Sequence, residues 1–153
     1  FDYTKDGKIK VDQQRRVRGR NTVTAKDIRE DCVFDMLSIL LQARSYDPKD
    51  YKVGDKILFP MATGRRIEEQ TLIYRGKKNF EAEDGTVYRC LVFSLVEYNK
   101  KGKEEEVITF FVTDDDNHLP VRLDLYLNFG SAKAFLKTVE GNRHPLTSIV
   151  KKK

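Results

Sequence analysis

The chain has 153 residues, 39% hydrophobic and 35% charged, a size and balance that suit one soluble folded domain with a sizeable core. No apolar run approaches the roughly 20 residues that a membrane-spanning helix requires. The net charge is +5 with a pI near 9.1. That excess gathers partly at Arg15, Arg16, Arg18 and Arg20 and at Lys151 to Lys153. It would allow weak peripheral contact with an anionic membrane surface. No aromatic-plus-basic stripe accompanies it, so a nucleic-acid partner is not expected.

Residues 1–14 read as a hairpin about Asp6-Gly7, a two-residue turn signal flanked by Tyr3 and by Ile9 and Val11. A chain that opens inside a hairpin, without an initiator methionine, predicts the C-terminal two-thirds of a longer protein forming a single domain over residues 1–153. Residues 15–24 are polar and basic and predict an exposed crossing segment.

One helix is predicted, over about residues 31–45, with Asp31 as its cap. Val33, Leu37, Leu40, Leu41 and Arg44 share one face, and Cys32, Met36, Ile39 and Ala43 make the rest apolar. A helix apolar nearly all round is expected to be buried. It ends before Asp47-Pro48.

The remainder predicts β structure. Strands are expected at 56–61, at 65–74 (closed by Arg75-Gly76), and at 86–98 after an Asp84-Gly85 turn. The strand at 86–98 is apolar on both faces, as a central strand is. A charged turn at 99–103, with Glu104 to Glu106 opposing its lysines, leads to a strand at 107–113. Leu119, Val121, Leu123, Leu125, Leu127 and Phe129 then alternate with polar residues, the pattern of a strand with one dry and one wet face. A third run covers 132–139. Short turns imply antiparallel neighbours. The fold class is therefore mainly β: a curled antiparallel sheet, or partial or open β-barrel, around one buried helix.

Little in the sequence points to a reaction. His118 and His144 stand alone, and no GxSxG, phosphate-binding glycine loop or HExxH occurs. No catalytic residue, cofactor or metal site is assigned. Asp114 and Asp116 are weak candidates for a cation, because carboxylates at alternate positions can converge on calcium. The bland reading of Asp114 to His118 is a hairpin turn whose Asp and Asn accept backbone hydrogen bonds. Cys32 and Cys90 read as small buried hydrophobes, with a disulfide open to them if the protein is exported. A concave apolar surface is the sharper expectation. Leu37, Leu41, Phe93, Phe110, Leu123, Leu125 and Phe129 would line it and hold a lipid or other apolar ligand. The alternatives are an interaction or scaffold module in which those residues fill the core, and a hydrolase-type enzyme with a spatially assembled site.

The order of several short motifs resembles a family. Asp35, Ser38 and Arg44 fit D-x-x-S-x-x-x-x-x-R. Gly54-Asp55, Tyr74 to Lys77 (Y-x-G-K) and Asp84 to Cys90 (D-G-x-x-Y-x-C) follow. Thr113 to Val121 and Gly130 to Leu136 fit T-D-D-x-x-x-x-P-V and G-S-x-K-A-x-L. Together they resemble the bacterial exported domain-of-unknown-function family 3108. The resemblance implies a protein made with a signal peptide and located in the periplasm or at the outer membrane of Gram-negative, Bacteroides-type bacteria. It implies a curled-sheet fold like that of envelope lipoproteins, and no known activity.

Overall fold

A computed structural model describes residues 1–16, 22–127 and 129–151. Arg18 and Arg20 of the basic segment, Asn128, Lys152 and Lys153 lie outside the described residues. The expected class holds: the chain is mainly β and antiparallel, with one α-helix and no closed barrel among the described residues. The strands are β1 (Asp2–Tyr3), β2 (Ile9–Arg15), β3 (Val23–Arg29), β4 (Lys56–Ala62), β5 (Ile67–Glu81), β6 (Val87–Tyr98), β7 (Glu104–Thr113), β8 (Pro120–Leu127), β9 (Gly130–Phe135) and β10 (Ile149–Lys151). The helix α1 is Met36–Ala43, followed by a 3-10 turn at Pro48–Asp50. One sheet has the order β1-β2-β3. The other runs β4-β5-β6-β7-β8-β9, with β10 paired to β6. The chain divides into two compact units, residues 1–40 with 58–70, and residues 41–57 with 71–153.

In the first unit β2 alternates as its sequence requires. Ile9, Val11 and Gln13 are buried while Lys10, Asp12 and Gln14 are exposed. Ile9 and Val11 pack with Val33, Ala62 and Ile67. The predicted turn is present, with Gly7 at φ +80° and its N–H donated to Thr4 O. The cap of α1 is Asp35 and not Asp31. Asp35 Oδ1 accepts from the N–H groups of Leu37 (2.9 Å) and Ser38 (2.7 Å), and Ser38 Oγ accepts from Asp35 N (2.7 Å). This reciprocal pair satisfies donors that the first helical turn leaves free. The Ser38 backbone bond foremost holds the Asp35 carboxyl below its ordinary pKa. Asp31 instead pairs with Arg29 on the surface.

The helix is also shorter and wetter than its composition predicts. Ile39 and Ala43 are buried, but Leu37 and Leu41 are 72% and 65% exposed. Eight residues make barely two turns, and the i, i+4 stripe of Leu37 and Leu41 lies on the face opposite the buried one.

In the second unit β6 is the central strand. Every residue from Cys90 to Val96 is buried, so both faces are packed as its sequence predicts. Cys90 and Val92 join Phe111 and Val121 on one side. On the other, Phe93 stacks at tilted angles on Tyr46 and Tyr74, with ring centroids 6.1 and 5.2 Å away. Cys90 is a buried free thiol pushed up to about 12 by burial, an inert hydrophobe. Cys32 is free and exposed, contrary to its expected burial.

Arg75-Gly76 does not end β5. The register slips between Tyr74 and Gly76, so Arg75 is the extra residue of a bulge and the strand continues to Glu81. Gly76 has φ +90°, and a Cβ there would lie 3.0 Å from Val53 Cγ2, so both backbone and space demand glycine. Arg75 then reaches Ser94, Glu104 and Glu106, which places the predicted charged turn residues Glu104 and Glu106 inside β7.

The polar face of β8 is dry in its middle, at Arg122 and Asp124, and exposed at Pro120 and Tyr126. Arg122 forms a two-point pair with Asp124, and its guanidinium carbon lies 5.1 Å from the Phe80 and Phe111 ring centroids and 5.8 Å from that of Phe135. Stacking on three rings buries the cation's flat surface while the carboxylate satisfies its N–H groups. Asp124 is thus buried, whereas Leu127 and Phe129 of the expected dry face are exposed.

Candidate functional site

The turn between β7 and β8 is a dense polar junction of the second unit. Its geometry begins with Thr113, whose N–H donates to Leu119 O and whose Oγ1 accepts from Leu119 N, closing the loop at its neck. Inside, Asp115 is buried. Its Oδ1 accepts from Thr113 Oγ1 (2.9 Å) and Asn117 N (3.0 Å), and its Oδ2 accepts from Ser148 N (3.2 Å). Burial pushes the Asp115 carboxyl up, but bonds from Ser148, Asn117 and Thr113 outweigh it and leave the pKa below the ordinary value.

Asn117, also buried, donates from Nδ2 to His144 O (2.8 Å) and accepts from His144 N (2.9 Å) at Oδ1. The loop therefore grips residues 144–148. Ser148 O accepts from Arg89 N, and β10 follows beside Val87 and Tyr88 of β6. The pairing of β7 with β6 stops at Thr113 and Cys90, so β10 takes the slot that β7 leaves when the chain turns.

Asp114 faces the other way and joins two cations, Lys77 Nζ (2.9 Å) and Arg89 Nε (2.7 Å). Burial raises its pKa, and the hydrogen bonds from Lys77 and Arg89 overcome this and lower it. Arg44, just past the helix end, donates from Nε to His118 O (3.0 Å) and from Nη2 to Asn117 O (2.9 Å). His118 returns a bond from Nδ1 to Arg44 O, which assigns the ring proton to Nδ1 because a carbonyl only accepts. His118 sits at φ +43°, a left-handed conformation uncommon for a residue with a Cβ. The fork of Arg44 fixes it there. Arg44→Lys is expected to lower stability by about 1–2 kcal/mol, since one ammonium cannot serve both carbonyls. Urea unfolding reads the change; an unaltered midpoint would mean that water already satisfies them.

Beside this junction opens a cleft of about 390 Å³, lined by Ser45, Asp47, Lys49, Lys77, Asp116 and His118 among others. Its wall is polar and mixed in sign, suited to a small charged ligand more than to a lipid chain. No group of three or more His, Cys, Asp or Glu side chains that could hold a metal occurs among the described residues. Asp114 and Asp116 both line this cleft, with Asp114 paired to Lys77 and Arg89 and Asp116 exposed. The turn reading of this segment stands, with Asp115 and Asn117 as its working residues.

The seven candidate apolar residues are brought together only in part: Phe93, Phe110 and Leu123 are cross-strand neighbours on β6, β7 and β8. Phe93 and Phe110 are fully buried, at 0% and 2% exposure, and are core. Leu123 and Leu125 are half-buried on β8, and Leu123 lines a shallow apolar groove with Val121, Ala134 and Phe135. Leu37 and Leu41 are exposed on α1, and Phe129 is 89% exposed ahead of β9. Alternation along a strand shows which residues share a face, not whether a neighbour covers it. Sequence reasoning missed the roles of Lys77, Arg89, Asn117 and residues 144–148, whose spacings along the chain carry no local pattern.

Some of the residues on which the family resemblance rests meet here. Arg44, Lys77, Thr113, Asp114 and Asp115 come from three separate motifs and share one junction. A search of the curated proteins found no match, and neither did a search of the solved structures. The family model described as "Protein of unknown function (DUF3108)" matches residues 1–137. The chain therefore belongs to the DUF3108 family.

Proposed function

We propose that the protein is an exported, non-catalytic component of the Gram-negative envelope, in the periplasm or at the outer membrane, that works by surface contact as an interaction module with a filled core. The resemblance to exported proteins supports the location. The observation that carries the mode of action is the burial of Phe93 and Phe110, two of the three phenylalanines expected to line an apolar cavity, while the third, Phe129, lies exposed on the surface. A ring with no exposed surface is packing, and packing favours a solid module over a lipid-enclosing one. The polar groups of the β7–β8 turn support the same reading, because Asp114, Asp115 and Asn117 are engaged in holding the fold. The net charge of +5 supports loose, salt-sensitive contact with an anionic membrane surface.

The test is purification of the natural full-length protein from envelope fractions, solvent extraction and lipid mass spectrometry. The expected result is recovery in the envelope with no stoichiometric lipid. One lipid per chain would overturn the filled-core reading in favour of an apolar-ligand carrier. Recovery in the cytoplasmic fraction would overturn export.

A further inference from the structure

The edge of the larger sheet carries a partner surface. Among the described residues β9 stands last in the strand order and pairs with β8. All six of its residues are exposed. Leu136 N donates to Val121 O (2.9 Å), which fixes the phase of the β8–β9 ladder. With Phe135 opposite Arg122 and Ala134 opposite Leu123, Gly130, Ala132 and Ala134 hold the hydrogen-bonded positions toward β8. The N–H and C=O groups of Ser131, Lys133 and Phe135 therefore point away from it. Natural sheets blunt such an edge with proline, bulges or several charges. The β8–β9 register is regular and β9 contains no proline, so Lys133 is its one charged guard.

What pairs with a bare edge is another strand, and the residues of β9 complement themselves. A two-fold axis through Ala132, perpendicular to the sheet, sets Ser131 against Lys133 of a second copy, Gly130 against Ala134, and Ala132 against itself. No charge meets its like, and small residues meet small ones. The same axis brings Phe129, 89% exposed in the turn just before β9, toward the end of the partner's β9 that carries Phe135. An axis through Lys133 would instead oppose lysine to lysine. The apolar groove of Val121, Leu123, Ala134 and Phe135, about 250 Å³, lies along the same edge.

We infer that β9 joins two copies of this chain antiparallel about Ala132, continuing the sheet from one protomer into its partner. The axis places Ala132 at a non-hydrogen-bonded pair, where Cα atoms approach to about 4.5 Å, and places Ser131 and Lys133 at a hydrogen-bonded one.

Light scattering on the 153-residue chain, from micromolar to millimolar, is expected to show a monomer–dimer equilibrium. In a Cys32→Ser background, Ala132→Cys is expected to form a covalent dimer on mild oxidation. Ala134→Cys is expected not to, since its own image lies roughly 13 Å away at about 3.3 Å per residue. Lys133→Pro removes an outward N–H and spares the β8 ladder, so it should yield monomer with unchanged far-ultraviolet circular dichroism. Phe129→Ser, an exposed change, should weaken dimerisation without unfolding. Monomer at every concentration, equal cross-linking of the two cysteine variants, or a dimer that survives both Lys133→Pro and Phe129→Ser would overturn the inference.

Discussion

Phe93→Ala is expected to lower the unfolding free energy by about 3–5 kcal/mol. A domain of this kind has a total of only about 5–15 kcal/mol, so the loss would remove a large part of its stability. The ring is fully buried on β6, opposite Tyr74 on β5 and Phe110 on β7. Tyr46 and Tyr74 lie against it, and those contacts would go with it. The strands on both sides restrain the collapse that could refill the space, which sets the expectation toward the upper end. Phe129→Ala, measured on dilute monomer, is the control: an exposed ring should cost within about 0.5 kcal/mol. Urea unfolding of the two variants separates core from surface. A Phe93→Ala cost below about 1 kcal/mol would mean that the ring borders open space after all.

Asp115→Ala is expected to cost about 2–4 kcal/mol, because it strands three donors at one buried point. Thr113 Oγ1, Asn117 N and Ser148 N all lose their acceptor. Asp115→Asn keeps the shape and tests the charge. The folded pKa of Asp115 lies below the ordinary 3.8. Its contribution is therefore present above the unfolded value and is lost as pH falls through the folded one. Asp114 behaves in the same sense. The natural chain should lose stability steeply on acidification below about pH 4, and Asp115→Asn should flatten part of that slope. Parallel acid titrations followed by circular dichroism check this. Identical slopes would show that the carboxylate is not ionised in the folded state, or gains nothing from its donors.

The legible parts of the fold were those whose local pattern had one physical cause. Alternation in Ile9 to Gln13 marked β2, and a two-sided apolar run marked β6. Asp-Gly marked the turns at 6–7 and 84–85. β3 was not legible because its residues are mostly exposed on both faces, which erases alternation. Gly76 read as a terminator because a bulge and a turn ask the same backbone freedom of glycine. The helix was found but its burial was overstated, since composition cannot tell which of two apolar stripes meets the protein. The candidate site was the least legible. Its aspartates were read as turn residues, but Arg44 lies 73 and 74 positions from the carbonyls it holds, and Asn117 lies 27 from His144. Only the motif resemblance set Arg44 and Thr113 to Asp115 in one series in advance, and it gave no reason for their meeting.

Those same separations set the order in which the chain can be finished. A newly made polypeptide reaches Arg44 long before His118 exists to receive it, and Asn117 well before residues 144–148 emerge. Until then the last helical turn and the start of β6 lack the partners that hold them, and long loops must close before those bonds form. During synthesis the bonds from Arg44 to the β7–β8 turn, and from that turn to residues 144–148, can therefore form only after the later partner has emerged. A chain stalled or cut before residue 144 would carry most of its strands and still leave Asn117 and Asp115 open.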